Sequence, residues 1–400
     1  MTRRTVLVVG ASHAGAQVAA SLRQEGWEGE VVLIGDESAL PYQRPPLSKA
    51  YLAGKCSLED LAIRKPEFYD KHDIELVGAT VTGIDRGSRT VTTSEGETRT
   101  YDGLALCTGG LARRLDLVGG DLAGVHYLRT FSDVEAIRAS ALPGLHAAII
   151  GGGYIGLETA ASLRALGMEV TLLEAGHRVL ERVTAPDVSR FYERAHREAG
   201  VHIRTGAQVE AIGGRDRARE VVLAGGECVA TDLVIIGVGL VPNTQLAADA
   251  GLLVDNGVVI DDFARTSDDR IVAAGDCASH RMARYDRLVR LESVPSASEQ
   301  AKAAAATLCD RQRPIAALPW FWSDQYDLKL QIAGLNAGYD QVVVDGDPAR
   351  NRDFSCYYFQ RGRLLAADCV NRPRDFMRVK QALSKGLHIE QVDLANLLAS

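Results

Sequence analysis

Two stretches of this chain repeat the same order of apolar and polar positions. Thr5–Val9 is a run of apolar and β-branched residues, Gly10 follows it, and the residues up to Gly26 place apolar side chains at three- and four-residue spacing before a second apolar run, Val31–Ile34. The order returns with Ala147–Ile150, Gly151, a similarly spaced stretch up to Gly167, and Val170–Leu173. The run AASLR stands at the same place in both copies, at 19–23 and 160–164. Continuous apolar runs bounded by glycine read as strands, and a period near 3.6 reads as a helix. Each copy therefore predicts a strand–helix–strand unit whose two strands lie parallel.

The turn after each first strand carries glycines at meaningful spacing. The second copy has Gly151, Gly153 and Gly156, a complete G-x-G-x-x-G fingerprint, and the first has Gly10 and Gly15 with Ser12 in the middle position. In such a turn the first glycine permits the tight bend, the second lets the backbone approach a pyrophosphate, and the third lets helix and strand pack closely. The helix N-terminus then offers unpaired N–H groups and a positive dipole end to phosphate. Ser12 adds only a Cβ and a hydroxyl, so the repeat supports a nucleotide site in the first copy too. The fold class this implies is α/β, with two Rossmann-like dinucleotide-binding domains. An acid after each second strand would accept from a ribose hydroxyl. Glu174 holds that place in the second copy and favours NADH over NADPH, although Arg178 follows four residues on; Asp36 is the choice in the first. Two such sites in one chain suggest two cofactors exchanging electrons, FAD in the first and NADH in the second.

Composition narrows the classes. A net charge of −7 gives no global basic field for nucleic acid or anionic membrane. The closest cysteines, Cys356 and Cys369, are too far apart for a C-x-x-C motif, and the histidines and cysteines form no ligand spacing, so no metal is assigned. No apolar run is long enough for a membrane span, and the apolar run near the N-terminus is broken by Gly10, Ser12 and Gly15, so a cytoplasmic location is expected.

A third motif, TSDDRIVAAGDCA at 266–278, ends a predicted strand, Ile271–Ala274, in Gly275 and Asp276. It resembles the second FAD motif of the two-dinucleotide-binding flavoprotein reductases. LALCTGG (104–110) resembles their turn between FAD and NAD domains, with Cys107 for an alanine, and VGLVPN (238–243) resembles the return crossing. LPYQRPPLSKAYLAG (40–54), RVLERVTAPDVSRFYERAHREAGVHIRTG (178–206), RLVRLESVPSASEQA (287–301) and PWFWSDQYDLKLQIAG (319–334) are similar to the putidaredoxin reductase-like members, the FAD-dependent NADH:ferredoxin reductases.

The resemblance implies roles for individual residues. With Gly10 and Ser12 in the first loop, Ala14 and Gly15 would meet the FAD pyrophosphate, Asp36 its ribose, the backbone near Val81 its adenine, Asp276 its ribityl chain and Val294 its ring system. Arg129 resembles a further FAD-site arginine. Gly151, Gly153, Tyr154, Ile155, Gly156, Glu174 and Gly239 would serve NAD. Lys49, stiffened by Pro45 and Pro46, would lie near the flavin and pair with Glu158, where a cation stabilises negative charge on the reduced ring. Tyr154 reads either as a gate over the flavin or as a packed helix-start aromatic. Trp322 would stand between flavin and acceptor, or else form part of a small core with Trp320.

The resemblance also implies domains at 1–112 and 242–316 for FAD in two segments, 113–241 for NAD and 317–400 for a smaller C-terminal α/β domain. Disulfide reductases of the superfamily carry a close cysteine pair where this chain has Tyr42, Gln43 and Arg44. Electrons would therefore pass singly to a [2Fe–2S] ferredoxin feeding a cytochrome monooxygenase or similar oxygenase. Docking would use a basic face drawn from Lys302, Arg372, Arg374, Arg378 and Lys380, and the chain is expected to be a monomer. The competing readings are an NADH reductase with a small-molecule acceptor such as a quinone, and a redox-signalling flavoprotein.

Overall fold

The computed structural model describes residues 4–387 and 389–399. They form two compact units, and the chain visits each more than once. The first unit holds the chain up to Gln43, Glu59–Leu111 and Val241–Pro319; the second holds Arg44–Leu58, Ala112–Leu240 and the chain from Trp320 onward. Arg44–Leu58 thus belongs to the second unit although it falls inside the expected first segment of the FAD domain.

In chain order, the first unit begins with β1 (Thr5–Val9), α1 (His13–Gln24), β2 (Glu30–Gly35), β3 (Ile74–Gly78) and β4 (Gly103–Leu106). The second receives β5 (Val125–Tyr127), β6 (His146–Ile150), α2 (Tyr154–Ala165), β7 (Glu169–Glu174), α3 (Pro186–Glu198), β8 (Val201–Thr205) and β9 (Leu233–Ile236). β10 (Ile271–Ala273) and α4 (Val294–Leu308) complete the first. The second ends with β11 (Trp320–Gln325), β12 (Leu328–Gly334), β13 (Gln341–Asp345), β14 (Phe354–Gln360), β15 (Arg363–Val370) and α5 (Pro373–Ser384).

The first unit is organised by a parallel sheet in the order β10-β4-β1-β2-β3. Val6, Leu7 and Val8 of β1 are fully buried, as a parallel strand covered on both faces requires. α1 packs on α4, and the buried alanines of both helices, Ala16 and Ala19 with Ala301 and Ala304, let their axes approach. The second unit repeats the plan with the parallel order β8-β7-β6-β9-β5. The correspondence reaches single hydrogen bonds. The N–H of Gly10 donates to the carbonyl of Ile34, and that of Gly151 to the carbonyl of Leu173, each at 2.8 Å.

The second unit also contains an antiparallel sheet, β11-β12-β15-β14-β13. Alternation divides β11 between two faces, with Trp320, Trp322 and Asp324 on one and Phe321, Ser323 and Gln325 on the other. The Trp320 face carries α5, with the Trp320 and Phe376 rings 5.8 Å apart. The opposite face meets α2 and α3, where Phe191 stands edge-on to Phe354 at 4.9 Å. Among the described residues no helix is long and apolar enough to cross a membrane.

The interior is not wholly apolar, and one of its carboxyls titrates unusually. Asp368 on β15 is fully buried; its Oδ2 accepts from the Tyr358 hydroxyl, while Oδ1 finds no partner among the described residues. Burial pushes this carboxyl up to about 7. A carboxyl whose pKa is raised by folding favours the folded state most at pH values below its unfolded pKa. That advantage is lost as pH rises through the folded value, here between about pH 4 and about 7. Asp368→Asn should therefore gain on the parent across that window, by on the order of a few kcal/mol. Urea denaturation of both proteins over a pH series measures the difference, and one that stays flat across the window would count against the buried-carboxyl account.

Candidate active site

The two glycine turns show which positions the backbone constrains. Gly10 and Gly151 have φ of 109° and 112°, a region that favours glycine. A Cβ on Gly10 would stand 2.1 Å from the carbonyl oxygen of Cys107, and one on Gly151 would stand 2.4 Å from that of Gly237. The third glycines are fixed by proximity: a Cβ on Gly15 would lie 1.9 Å from the Gly10 oxygen, and one on Gly156 would lie 2.0 Å from the Gly151 oxygen. The middle position is different. Gly153, the N-cap of α2, is extended (φ −79°, ψ −177°), and a Cβ there would meet nothing within 4 Å. Ser12, the N-cap of α1, is also extended (φ −121°, ψ −156°), so a serine sits there without backbone strain. The open space over Gly153 is the approach a pyrophosphate needs, and the residues fit a dinucleotide there.

In the first unit the second FAD-type motif folds back onto the first. A Cβ on Gly275 would lie 2.9 Å from the Cβ of Ala14, so the Gly275–Asp276 turn stands against the start of α1. Gln300 on α4 accepts from the Gly275 N–H at 2.8 Å, while its own Nε2 is buried without a partner among the described residues. An unsatisfied donor beside that turn fits a polar cofactor. Sequence reasoning missed Gln300; its signal was a lone amide in the alanine-rich run of α4. Asp36 is exposed just after β2, whereas the neighbouring Glu37 accepts from Tyr42 at 2.5 Å. Val81 opens the strand Val81–Asp85, and Val294 is the first residue of α4, capped by the Ser293 side chain. Arg129 lies in the second unit, where its N–H donates to Asp133 at 3.0 Å and its carbonyl accepts from Arg44 at 2.8 Å.

In the second unit Glu174 ties down the glycine turn. Its Oε2 accepts from the Gly152 N–H at 2.6 Å and its Oε1 from the Gly176 N–H at 2.7 Å. Arg178 donates to Ser189 at 2.5 Å and to the Glu181 carbonyl at 2.9 Å. Ile155 is exposed at the start of α2, and Gly239 has φ of 111° with open space beside it. The Tyr154 ring packs on Phe321 at 5.0 Å, and its hydroxyl is buried with no partner among the described residues. Burial pushes that hydroxyl well above its ordinary pKa.

Lys49 and Glu158 meet in the second unit, 2.7 Å apart. The Glu158 side chain is 1 % exposed and the lysine 19 %. The carboxylate also accepts from Ser48 and from Ser323, each at 2.5 Å. A buried charge must be paired and hydrogen-bonded, and these donors meet that need. Ser162, one turn along α2, donates to the Ser48 carbonyl at 2.7 Å and anchors the Pro45–Ser48 turn beside the helix. The sequence pointed to neither serine as a partner of the pair.

Trp322 packs on Trp320 at 5.5 Å, and both line a surface cavity of about 490 Å³ with Asp324, Lys329 and Gln331. Lys380 lies over the Trp320 ring at 4.1 Å, and partial burial lowers its ammonium pKa. Arg372 corrects the expected basic face. It is enclosed by Asp345, Asp353 at 3.3 Å and Asp375 at 3.5 Å, and this neutralisation removes it from the free docking charges. Arg374 is exposed, Arg378 and Lys380 are half-buried, and Lys302 lies on α4 in the first unit. Burial pushes the thiols of Cys107 and Cys277 upward, so neither is a ready nucleophile.

Residues 4–301 match the family model described as pyridine nucleotide-disulphide oxidoreductase, and 320–399 match that described as reductase C-terminal. The chain belongs to the pyridine nucleotide-disulphide oxidoreductase family. It is 48% identical to putidaredoxin reductase CamA of Pseudomonas putida over 96% of this chain and 93% of that one. It is 44% identical to a ferredoxin–NAD(P)+ reductase of Sphingomonas sp. over 97% and 95% of the two chains. It superimposes on the reductase-matching chain of a covalent putidaredoxin reductase–putidaredoxin complex with a TM-score of 0.95 at 47% identity, covering 100% of this chain and 96% of that one. As a member of this family the chain is an oxidoreductase with FAD and NAD(H) as its cofactors.

The orphaned Tyr154 hydroxyl generates a prediction. A buried hydroxyl without a partner costs about 1–3 kcal/mol. Tyr154→Phe should fold at least as stably as the parent, as read from its melting temperature. A clear drop would mean that the hydroxyl has a partner in solution.

Proposed function

We infer that this chain is an FAD-dependent NADH:ferredoxin oxidoreductase, taking hydride from NADH and passing electrons singly to a [2Fe–2S] ferredoxin that feeds a cytochrome monooxygenase or similar oxygenase. The observation that carries the reading is the similarity, along nearly the whole chain, to a reductase named for its ferredoxin-type acceptor. Tyr42, Gln43 and Arg44 stand where a disulfide reductase would carry its dithiol, which leaves an external acceptor.

In this reading FAD lies along the first glycine turn, with Ser12, Ala14 and Gly15 at its pyrophosphate, Asp36 at its ribose, Val81 at its adenine, Asp276 at its ribityl chain and Val294 at its ring. NADH lies along the second, on Gly151, Gly153, Ile155, Gly156 and Gly239. When bound, FAD supplies hydride acceptance and one-electron delivery. The residues of the chain supply position and charge. Lys49, held by Glu158, presents a cation to the reduced ring, and Arg129 serves the FAD site. Trp322 stands between FAD and the acceptor. Arg374, Arg378, Lys380 and Lys302 attract an acidic ferredoxin and raise its association rate. The reading keeps an FAD domain of 1–112 and 242–316, an NAD domain of 113–241 and a C-terminal domain of 317–400, in a monomer that works in the cytoplasm.

Glu174 sets the nucleotide preference. Its carboxylate repels a 2′-phosphate, and Arg178 is held toward Ser189 and the Glu181 carbonyl. In anaerobic stopped-flow, NADH should bleach the flavin at least about tenfold faster than NADPH at equal subsaturating concentration, a difference of about 1.4 kcal/mol. The reduced protein should then reduce a plant-type ferredoxin at a rate that falls as salt rises. Equal rates with both nucleotides would overturn the role of Glu174. Fast quinone reduction with every ferredoxin left oxidised would overturn the acceptor.

A further inference from the structure

An unbroken line of hydrogen bonds runs from the Lys49–Glu158 pair to the surface of the second unit. Lys49 Nζ lies 2.7 Å from Glu158 Oε2, and Ser323 Oγ lies 2.5 Å from Glu158 Oε1. Gln325 Nε2 is 3.1 Å from that serine oxygen. The far end of the same amide, Oε1, is 2.8 Å from His196 Nε2, and the Tyr326 hydroxyl is 3.0 Å from His196 Nδ1. Ser323, Gln325 and His196 are essentially inaccessible, and Tyr326 is 40% exposed.

The direction of every donor follows from the first link. A carboxylate only accepts, so Ser323 donates to Glu158. The serine oxygen then accepts from the Gln325 amide nitrogen, which leaves the amide oxygen to accept from His196 Nε2–H. His196 Nδ1 is left as an acceptor for the Tyr326 hydroxyl. Burial lowers the imidazole to about 4, which leaves it neutral near pH 7 with the single N–H this arrangement requires. All the donors therefore point inward, and aligned bonds of this kind polarise and strengthen one another.

A second observation marks the outer end. Tyr326 has φ of 57°, a left-handed conformation that is unusual for a bulky aromatic residue. Its ring stands edge-on to His196 at 4.9 Å, so the turn between β11 and β12 holds a tyrosine in an unfavourable backbone well and sets it on the imidazole.

We propose that Ser323, Gln325, His196 and Tyr326 are positioning residues for hydride transfer, orienting the Glu158 carboxylate and through it fixing the Lys49 ammonium. The inference rests on the reading that places Lys49 beside the flavin. A lysine on its flexible stem reaches several positions, and its second acceptor, the Pro45 carbonyl at 3.2 Å, is a weaker anchor. A carboxylate held at both oxygens gives it one position. Displacement of such a group by about 1 Å can cost on the order of a hundredfold in rate.

The test uses the purified flavin-loaded protein and the variants Ser323→Ala, Ser323→Thr, Tyr326→Phe and Lys49→Met. Two quantities are read: the limiting rate of flavin reduction against the NADH dissociation constant, and the flavin midpoint potential by spectroelectrochemistry. Ser323→Ala should lower the limiting rate about tenfold and leave NADH affinity unchanged. It should also make the potential more negative by about 30 mV, a tenfold weaker two-electron equilibrium. Ser323→Thr should restore both. Tyr326→Phe, a change at the exposed end that the fold tolerates, should move both the same way by roughly two- to threefold. If Ser323→Ala and Tyr326→Phe lower only the melting temperature while Lys49→Met shifts rate and potential, the line is structural and the inference is overturned. If Lys49→Met shifts neither, the placement of Lys49 at the flavin falls, and the inference with it.

Discussion

The buried carboxylate of Glu158 is the constraint on which the second unit depends. A charge taken out of water destabilises a fold unless donors surround it. Here the donors come from stretches far apart in sequence: Ser48 and Lys49 in the turn after Pro45–Pro46, and Ser323 on a strand of the antiparallel sheet. This explains why Arg44–Leu58 leaves the unit of its sequence neighbours and packs beside α2. It also joins the antiparallel sheet to the parallel one through a polar contact that an apolar interface would not specify.

What was legible in the sequence is what local geometry dictates. Gly10 and Gly151 must adopt positive φ, and Gly15 and Gly156 must omit a Cβ, so both turns announce themselves by spacing alone. The gap at Ser12 proved uninformative because the middle position is extended in both copies. The meeting of Lys49 with Glu158 was readable only through resemblance, since nothing local links a proline turn to a helix so far along the chain.

What was not legible depends on distant partners. The alternation of WFWSDQ told that Ser323 and Gln325 share a face with Phe321, but not that Glu158 and His196 lie across from it. The signal available was two polar residues on the side of a strand that should be apolar. Arg372 shows the reverse error. Read along the chain it is a cation near other cations, but Asp345 and Asp353 arrive from β13 and the loop before β14 and cancel it. Counts of basic residues therefore overstate a docking field wherever acids from neighbouring strands reach the same place.

The two faces of β11 carry different tasks and share one backbone. Ser323 and Gln325 are buried and hydrogen-bonded on one side, so the strand cannot slide without breaking the bond from Ser323 to Glu158 and that from Gln325 to Ser323. Trp320 and Trp322, on the alternate positions, inherit that rigidity; Trp320 is backed by Lys380 and Phe376 from α5, and Trp322 packs on Trp320. A tryptophan face held this way loses little freedom when a partner covers it, which favours association. The strand thus links the buried Glu158 carboxylate to the surface proposed for electron exit. The link is mechanical: a shift of register by one residue would turn Ser323 and Gln325 outward and the tryptophans inward, so neither arrangement can exist without the other.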